Sequence, residues 1–192
     1  MTPLPEQDED LMRLVRDTNS HAAFETLVRR HTQNLLNYFT RCGVQQDVED
    51  LAQKVFLRLY RYRERYKVTA KFTTFLYLMA RQVWIDDLRS RSRREQEFTD
   101  AQDEGRNIAE DRPVSDAGHI DNRTDVQRAL DALPDAMRQV VVLGAFEERP
   151  YAEIAEILGI PEGTVKSRMF NALAKMKAFL MDDESDAGER KE

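Results

Sequence analysis

The sequence predicts an all-α chain: two small helical domains joined by a flexible acidic linker, the second carrying a helix-turn-helix. Three observations lead there. Apolar residues recur at three- and four-residue spacings through both ends of the chain, and no strand-like alternation is sustained anywhere. Residues 95–124 interrupt that pattern with nine acids, three bases, two glycines and one proline. Finally, Tyr151–Lys177 sets two amphipathic patterns about Gly159, Ile160 and Pro161, the way two helices are written around a tight turn.

The first domain is expected over residues 8–94. Ser20 suits the cap of a helix whose apolar side is Phe24, Leu27, Val28, Leu35, Tyr38 and Phe39, with Gly43 ending it. Asp47 then suits the cap of a second helix, with Val48, Leu51, Val55, Phe56 and Leu59 as its buried stripe. Lys71–Thr74 leads into a third, carrying Phe75, Leu76, Met79, Val83 and Leu88. Residues 95–123 read as the linker and 182–192 as a solvated acidic tail. The second domain, 124–181, opens with a helix marked by Val126, Ala129, Leu130 and Leu133. Pro134 can start the next, whose apolar surface is Val140, Val141, Leu143 and Phe146. Pro150 precedes the helix-turn-helix. There Ile154, Ile157 and Leu158 pack the first helix, Gly159 makes the turn, and Val165 and Met169 face inward from the second.

Charge distribution says more than total charge. The formal net charge of −6 argues weakly against nucleic acid, yet residues 1–94 carry +5, 95–124 carry −6, 125–181 carry −1 and 182–192 carry −4. The acidity is concentrated in the linker and tail, and the first domain is basic. Cys42 is the single cysteine, which excludes an intramolecular disulfide and a cysteine-cluster metal site; its place near the end of an apolar stripe predicts a buried thiol. His21, His31 and His119 lack zinc spacing. There is no phosphate-cradling glycine loop and no matched catalytic set, so no catalytic residue, cofactor or metal is expected. No signal peptide or long apolar run is present, which points to a cytoplasmic protein with no direct membrane insertion.

The residues that suit nucleic acid fall in two places. At the exposed start of the last helix stand Thr164, Lys166, Ser167 and Arg168. A helix there fits a major groove about 12 Å wide, and the Arg168 guanidinium can bridge two acceptors on guanine while Lys166 positions the helix on phosphate. In the first domain, YRYRERYK interleaves Tyr60, Tyr62 and Tyr66 with Arg61, Arg63, Arg65 and Lys67, followed by Lys71. This reads as a surface for a single strand, or as a connector whose tyrosines cover the core. Further on, ARQVWIDDLRSRSRR brings Arg89, Arg91, Arg93 and Arg94 to one helix end, where they can neutralise phosphates. Asp86 and Asp87 beside them can accept from cytosine amines, orient the arginines or solubilise the helix. Trp84 can stack on an unpaired base or belong to the core.

Together these segments resemble a bacterial RNA polymerase sigma factor of the compact extracytoplasmic-function type. The resemblance rests on AAFETLVRRH, DVEDLAQKVFLRLY and FTTFLYLMARQVWIDDLRSR in the first domain, and on ALDALPDAMRQVVVLGAFEERPYAEIAEILGIPEGTVKSR in the second. It implies a region 2-like domain and a region 4-like domain that direct core RNA polymerase to promoters and assist their opening, without catalysis by this chain. By the same resemblance Asp50, Gln53, Lys54, Val55 and Phe56 lie on the helix that docks on the β′ clamp. The Tyr62–Lys71 connector and the helix with Trp84 capture the −10 element, and the second domain grips the −35 element while touching the β flap. An anti-sigma protein is a further partner of the kind the family implies. Two departures stand out: Lys54 sits where an acid is common, and MFNALAKMK after Arg168 is poor in bases, which implies weak phosphate anchoring by the second domain alone. A stand-alone helix-turn-helix regulator and a polymerase-binding adaptor are the alternatives. Promoter-selective initiation on core polymerase separates all three.

Overall fold

The computed structural model describes residues 4–100 and 124–189, with side chains over 4–93 and 124–181. Four helices build the first domain: α1 (Asp8–Thr18), α2 (His21–Arg41), α3 (Val48–Tyr62) and α4 (Phe72–Asp100), with a 3-10 turn at Arg63–Arg65. The second contains α5 (Asp125–Asp131), α6 (Asp135–Val141), a π-helical turn (Val142–Phe146), α7 (Tyr151–Leu158) and α8 (Glu162–Glu189). Every regular element among the described residues is helical, as the apolar spacings predict. The linker reading falls from residue 101 onward outside the described residues.

Two boundaries and one element differ from expectation. Helix α4 runs past Arg94 to Asp100, and α8 past residue 181 to Glu189, so helical backbone enters both stretches read as linker and tail. Helix α1 was not anticipated, although Leu11, Met12 and Val15 form a short apolar stripe behind Asp8, Glu9 and Asp10. Those acids suit a helix N-terminus electrostatically, and two of them also tie the domain together. Asp8 meets Arg30 at 2.7 Å and the buried His31 at 2.7 Å, while Glu9 accepts the amide of Phe72, the first residue of α4, at 2.6 Å. Arg16 donates to the Tyr66 carbonyl at 3.1 Å. Helix α1 thus holds both the connector 63–71 and the start of α4.

Local chemistry sets the other helix ends. The Ser20 hydroxyl accepts from the Ala23 amide, and that of Thr124 from Gln127, so both act as N-caps. Asp47 occupies the N-cap position of α3 but makes no capping bond; its backbone is left-handed at φ 61° and directs the side chain elsewhere. At the end of α7, Gly159 has φ 62°, the left-handed cap that a glycine adopts without penalty. The turn then passes through Ile160 and Pro161 into α8.

Large side chains fill the first core: Leu27, Leu35, Tyr38, Phe39, Leu51, Leu59, Phe72 and Leu76 are all fully buried. Each such burial contributes about 1.5–3 kcal/mol relative to exposure. Leu88 and Val126, expected on buried stripes, are instead exposed at 36% and 43% because each lies at the rim of its helix face. In the second domain α6, α7 and α8 pack through Val140, Ile154, Ile157, Val165 and Ala172, all with no exposed surface. Gly144 permits this approach: a Cβ there would sit 2.4 Å from the Met169 methyl carbon. The two domains also pack on each other, α4 against α7 and α2 against α5 and the π-helical turn, within one continuous apolar cluster.

Candidate nucleic-acid and polymerase interfaces

The start of α8 presents its polar residues as the spacing requires. Val165 and Met169 are buried against the domain, which turns Lys166 and Ser167 outward and leaves Thr164 and Arg168 half-buried beside them. Lys166 pairs with Glu162 at 2.9 Å, one turn back on the same exposed face, and that carboxylate holds its ammonium above the usual range. Ser167 donates to the Thr164 carbonyl at 3.1 Å. Arg168 has no ion pair among the described residues and is the free cation of the group. Beyond it, Phe170 and Leu173 are 75% and 49% exposed, an apolar strip that the sequence reading did not single out.

The connector after α3 divides its aromatic residues between two tasks. Tyr66 is buried, with its ring 5.4 Å from that of Phe75, and burial pushes its hydroxyl up to about 12. It anchors the loop and offers no face to a base. Tyr62, 39% exposed and 5.6 Å from Phe75, keeps an accessible edge. Arg63 lies over the Tyr60 ring at 4.2 Å and donates to the Tyr60 carbonyl. Arg65 and Lys67 are exposed. Lys71 is also exposed, but its ammonium is 2.7 Å from Glu153 of the second domain.

On α4 the aspartates orient arginines. Asp86 binds Arg58 at 2.8 Å and Asp87 binds Arg91 at 2.7 Å, which supports the arginine-orienting role among the three anticipated for these acids. Arg89 and Arg93 project into solvent without an ion pair among the described residues. Trp84 is 4% exposed and belongs to the apolar core cluster, which favours the core alternative over base stacking. The apolar helical stripe on which it falls outweighs the basic run that follows it.

The same test splits the residues expected on the docking face of α3. Asp50, Gln53 and Lys54 are exposed, whereas Val55 and Phe56 are buried at 0% and 7% and support the helix from inside. Their place on the outer face is taken by Leu57, 56% exposed and one turn beyond Gln53 and Lys54. A helical-wheel reading from Asp50 would have reached Leu57; its apolar character hid it. Leu57 borders an open groove between α3 and α4 of about 370 Å³, lined also by Lys54, Arg58, Arg61, Asp86 and Asp87.

Among the described residues there is no group of three or more side chains suited to a metal ion, and no helix is long and apolar enough to cross a membrane. Cys42 is buried, and burial pushes its thiol up to about 12, which leaves it unreactive.

Comparison with known proteins agrees with this two-part geometry. Residues 24–94 match the Sigma-70 region 2 family and residues 123–176 match Sigma-70, region 4. The chain is 32% identical to the ECF RNA polymerase sigma factor SigE of Mycolicibacterium smegmatis, over 90% of this chain and 67% of that protein. It is 31% identical to the ECF RNA polymerase sigma factor SigW of Bacillus subtilis, over 73% of this chain and 79% of that protein. Its fold is similar to that of the sigma factor RpoE in complex with the anti-sigma factor NepR from Bartonella quintana. There the TM-score is 0.67 at 20% identity, covering 82% of this chain and 96% of that one. The four segments that carry the resemblance lie in order along the matched regions, the first beginning two residues ahead of the region 2 match. The chain belongs to the sigma-70 family, among the ECF sigma factors: it directs RNA polymerase to promoters and is not itself an enzyme.

Proposed function

We propose that the first domain docks on the β′ clamp through Asp50, Gln53, Lys54 and Leu57, and captures the −10 element with the connector and the basic side of α4. Tyr62, Arg65, Lys67, Lys71, Arg89 and Arg93 meet the strand, while Arg63 and Arg91 are held ready by Tyr60 and Asp87. Trapping displaced bases and their phosphates then stabilises the opened duplex, with no nucleotide hydrolysis by this chain. Asp86 orients Arg58, and Trp84, Val55 and Phe56 support the surface from within.

The second domain reads the −35 element with Thr164, Lys166, Ser167 and Arg168, and the strip of Phe170 and Leu173 supplies apolar surface for the β flap. One observation carries this reading: Arg168 has no ion pair among the described residues and stands half-buried beside the exposed Lys166 and Ser167, on a helix fixed from behind by Val165 and Met169. A side chain so presented can meet a base edge at low conformational cost. The solved complex of a similar fold with an anti-sigma factor supports an inhibitor of that class as a further partner.

Reconstitution with core polymerase on a library of duplexes tests the whole. Selected initiation that depends on the chain, with footprints at both elements and permanganate-reactive thymines at the downstream one, is expected. Selection that responds to the downstream element alone would remove the assigned role of α8.

A further inference from the structure

Helix α1 reaches both ends of the span between α3 and α4 that the proposed function gives to the captured strand. Its apolar stripe, Leu11, Met12 and Val15, is fully buried, so its polar side is fixed in direction. From that side Arg16 donates through Nη1 to the Tyr66 carbonyl at 3.1 Å, fifty residues further along the chain. Asp17 sets the plane of the guanidinium, accepting from Nε at 2.6 Å and from Nη2 at 3.0 Å. This forked pairing leaves Nη1 aimed at the carbonyl. Further back on α1, Glu9 Oε1 accepts the Phe72 amide at 2.6 Å. That amide opens α4 and lacks an acceptor within its own helix, so a carboxylate from another helix caps it.

Between these anchors residues 67–71 read KVTAK and form neither helix nor strand. Their shape therefore depends on where the ends are held. Tyr66 enters the core at one end. Phe72 does so at the other, its ring 5.3 Å from that of His31, which Asp8 of α1 binds at 2.7 Å. The buried Tyr66 hydroxyl has no hydrogen-bond partner among the described residues, which leaves the carbonyl contact from Arg16 as its polar tie to α1. The span itself turns outward: Thr69 donates its amide to the Lys67 carbonyl at 2.9 Å, closing a three-residue turn at Val68. Lys67, Thr69 and Lys71 are exposed and Val68 is 40% exposed, so an apolar side chain stands between two ammonium groups. A span with free ends samples many shapes and loses that freedom on binding, whereas one with tied ends has less to lose.

We propose that Glu9 and Arg16, the latter oriented by Asp17, are positioning residues for promoter opening: they tie both ends of the 67–71 span and hold Lys67, Val68 and Lys71 in the shape that meets the displaced strand. The inference deepens the strand-capturing role proposed above and rests on it. Neither Glu9 nor Arg16 touches the strand. Each acts through a backbone group of the first domain, the Phe72 amide and the Tyr66 carbonyl, so the effect of losing either is a looser span on an otherwise intact domain.

The test uses the full chain assembled with core polymerase. It reads permanganate-reactive thymines at the downstream element beside the affinity for core. If loosening leaves the capture-ready shape in about a tenth of the population, Arg16→Ala and Glu9→Ala should each reduce opening by about tenfold, with core affinity unchanged. Arg16→Lys keeps a donor for the carbonyl and Glu9→Gln keeps an acceptor for the amide, so both are expected to recover most of the opening. Asp17→Asn disturbs Arg16 at an exposed position and should lower opening in part. Asp10→Asn makes the same charge change in the exposed Asp10–Arg13 pair of α1 and should not. Full opening by both alanine variants, or an equal loss from Asp17→Asn and Asp10→Asn, would overturn the anchoring. A loss of opening matched by an equal loss of core affinity would overturn it too, because α1 would then serve only the fold. The double variant Lys67→Ala with Lys71→Ala keeps the two layers apart. Lost opening there beside normal opening in Arg16→Ala and Glu9→Ala removes the anchoring alone, and normal opening throughout removes the strand-capturing role as well.

Discussion

Tyr77 of α4 donates its hydroxyl to Glu147, a carboxylate that enters from the second domain and is 9% exposed. Both groups are moved by this burial: the Glu147 carboxyl rises above its ordinary value of 4.5 and the tyrosine hydroxyl rises well above its own. The groups facing Glu147 are Tyr77 from α4, Arg41 at the end of α2 with Cys42 just after it, and Arg149 beside it in the chain. The arginines and the tyrosine hydroxyl favour the ionised form, but desolvation outweighs them.

A pH dependence follows from that direction. Packed, Glu147 binds its proton more tightly than it does in water, so its contribution to stability is fully present below about pH 4.5 and is lost as pH rises through the raised value. Thermal unfolding followed across that window should show this loss, and Glu147→Gln should flatten it. An identical pH profile for Glu147→Gln would assign the dependence to another group.

Arg168→Ala is expected to weaken recognition of the upstream element by about 1–3 kcal/mol, the range for a bidentate base contact. The loss should vary with the base facing the side chain. Uniform weakening on all duplexes, measured as holoenzyme affinity over a substitution series, would leave Arg168 a phosphate role.

Leu57→Asp is expected to weaken binding to core polymerase by tenfold or more, the effect of a hot-spot residue of about 1.4–2 kcal/mol, without lowering the melting temperature. Leu57 is 56% exposed and contributes little to the core. Val55→Ala should do the reverse, lowering the melting temperature while the folded fraction binds normally. Titration of core polymerase with labelled chain distinguishes them.

Trp84→Ala should cost about 3–5 kcal/mol of stability by leaving a cavity, because the indole is nearly fully buried. Trp84→Phe should retain most of the fold and most of the promoter opening. Strong loss of opening by a stably folded Trp84→Phe chain would return the indole to the DNA surface.

Gly159→Ala tests the turn of the helix-turn-helix. Nothing lies within 4 Å of where its Cβ would be, so the entire effect comes from holding φ at 62° with a side chain. A loss of about 1–2 kcal/mol is expected, with a smaller loss for Gly159→Asn. Chemical denaturation gives the comparison directly.

Much of the architecture could be read from local chemistry. Ser20 accepts the bond its position predicts, the stripe Leu51, Val55, Leu59 is buried, and Gly159 takes the turn written for it. Periodicity suffices for these because they depend on residues a few positions apart. It was weaker for Trp84 and Tyr66, where residue type left contact with a partner open and burial gave each a place inside the core; for Val55 and Phe56 periodicity gave the burial, and only the family resemblance set them beside a docking surface. Helix α1 escaped notice for the opposite reason, since its short stripe gains its stability from α2 and α4 through Asp8 and Glu9.

By itself the sequence determined the helical class, the two matched regions in their order, the turn at Gly159 and the basic and acidic stretches. These are properties of spacing and composition; it is the resemblance of four segments to a known family, together with the two matched regions, that identifies a sigma factor. Only the tertiary structure decided which of the candidate residues face outward, that Leu57 joins Asp50, Gln53 and Lys54, and that Glu153 pairs with Lys71. The reason is physical: a pairing across eighty residues of chain leaves no periodic trace, because the charge that satisfies Lys71 is brought to it by packing and not by neighbours in sequence.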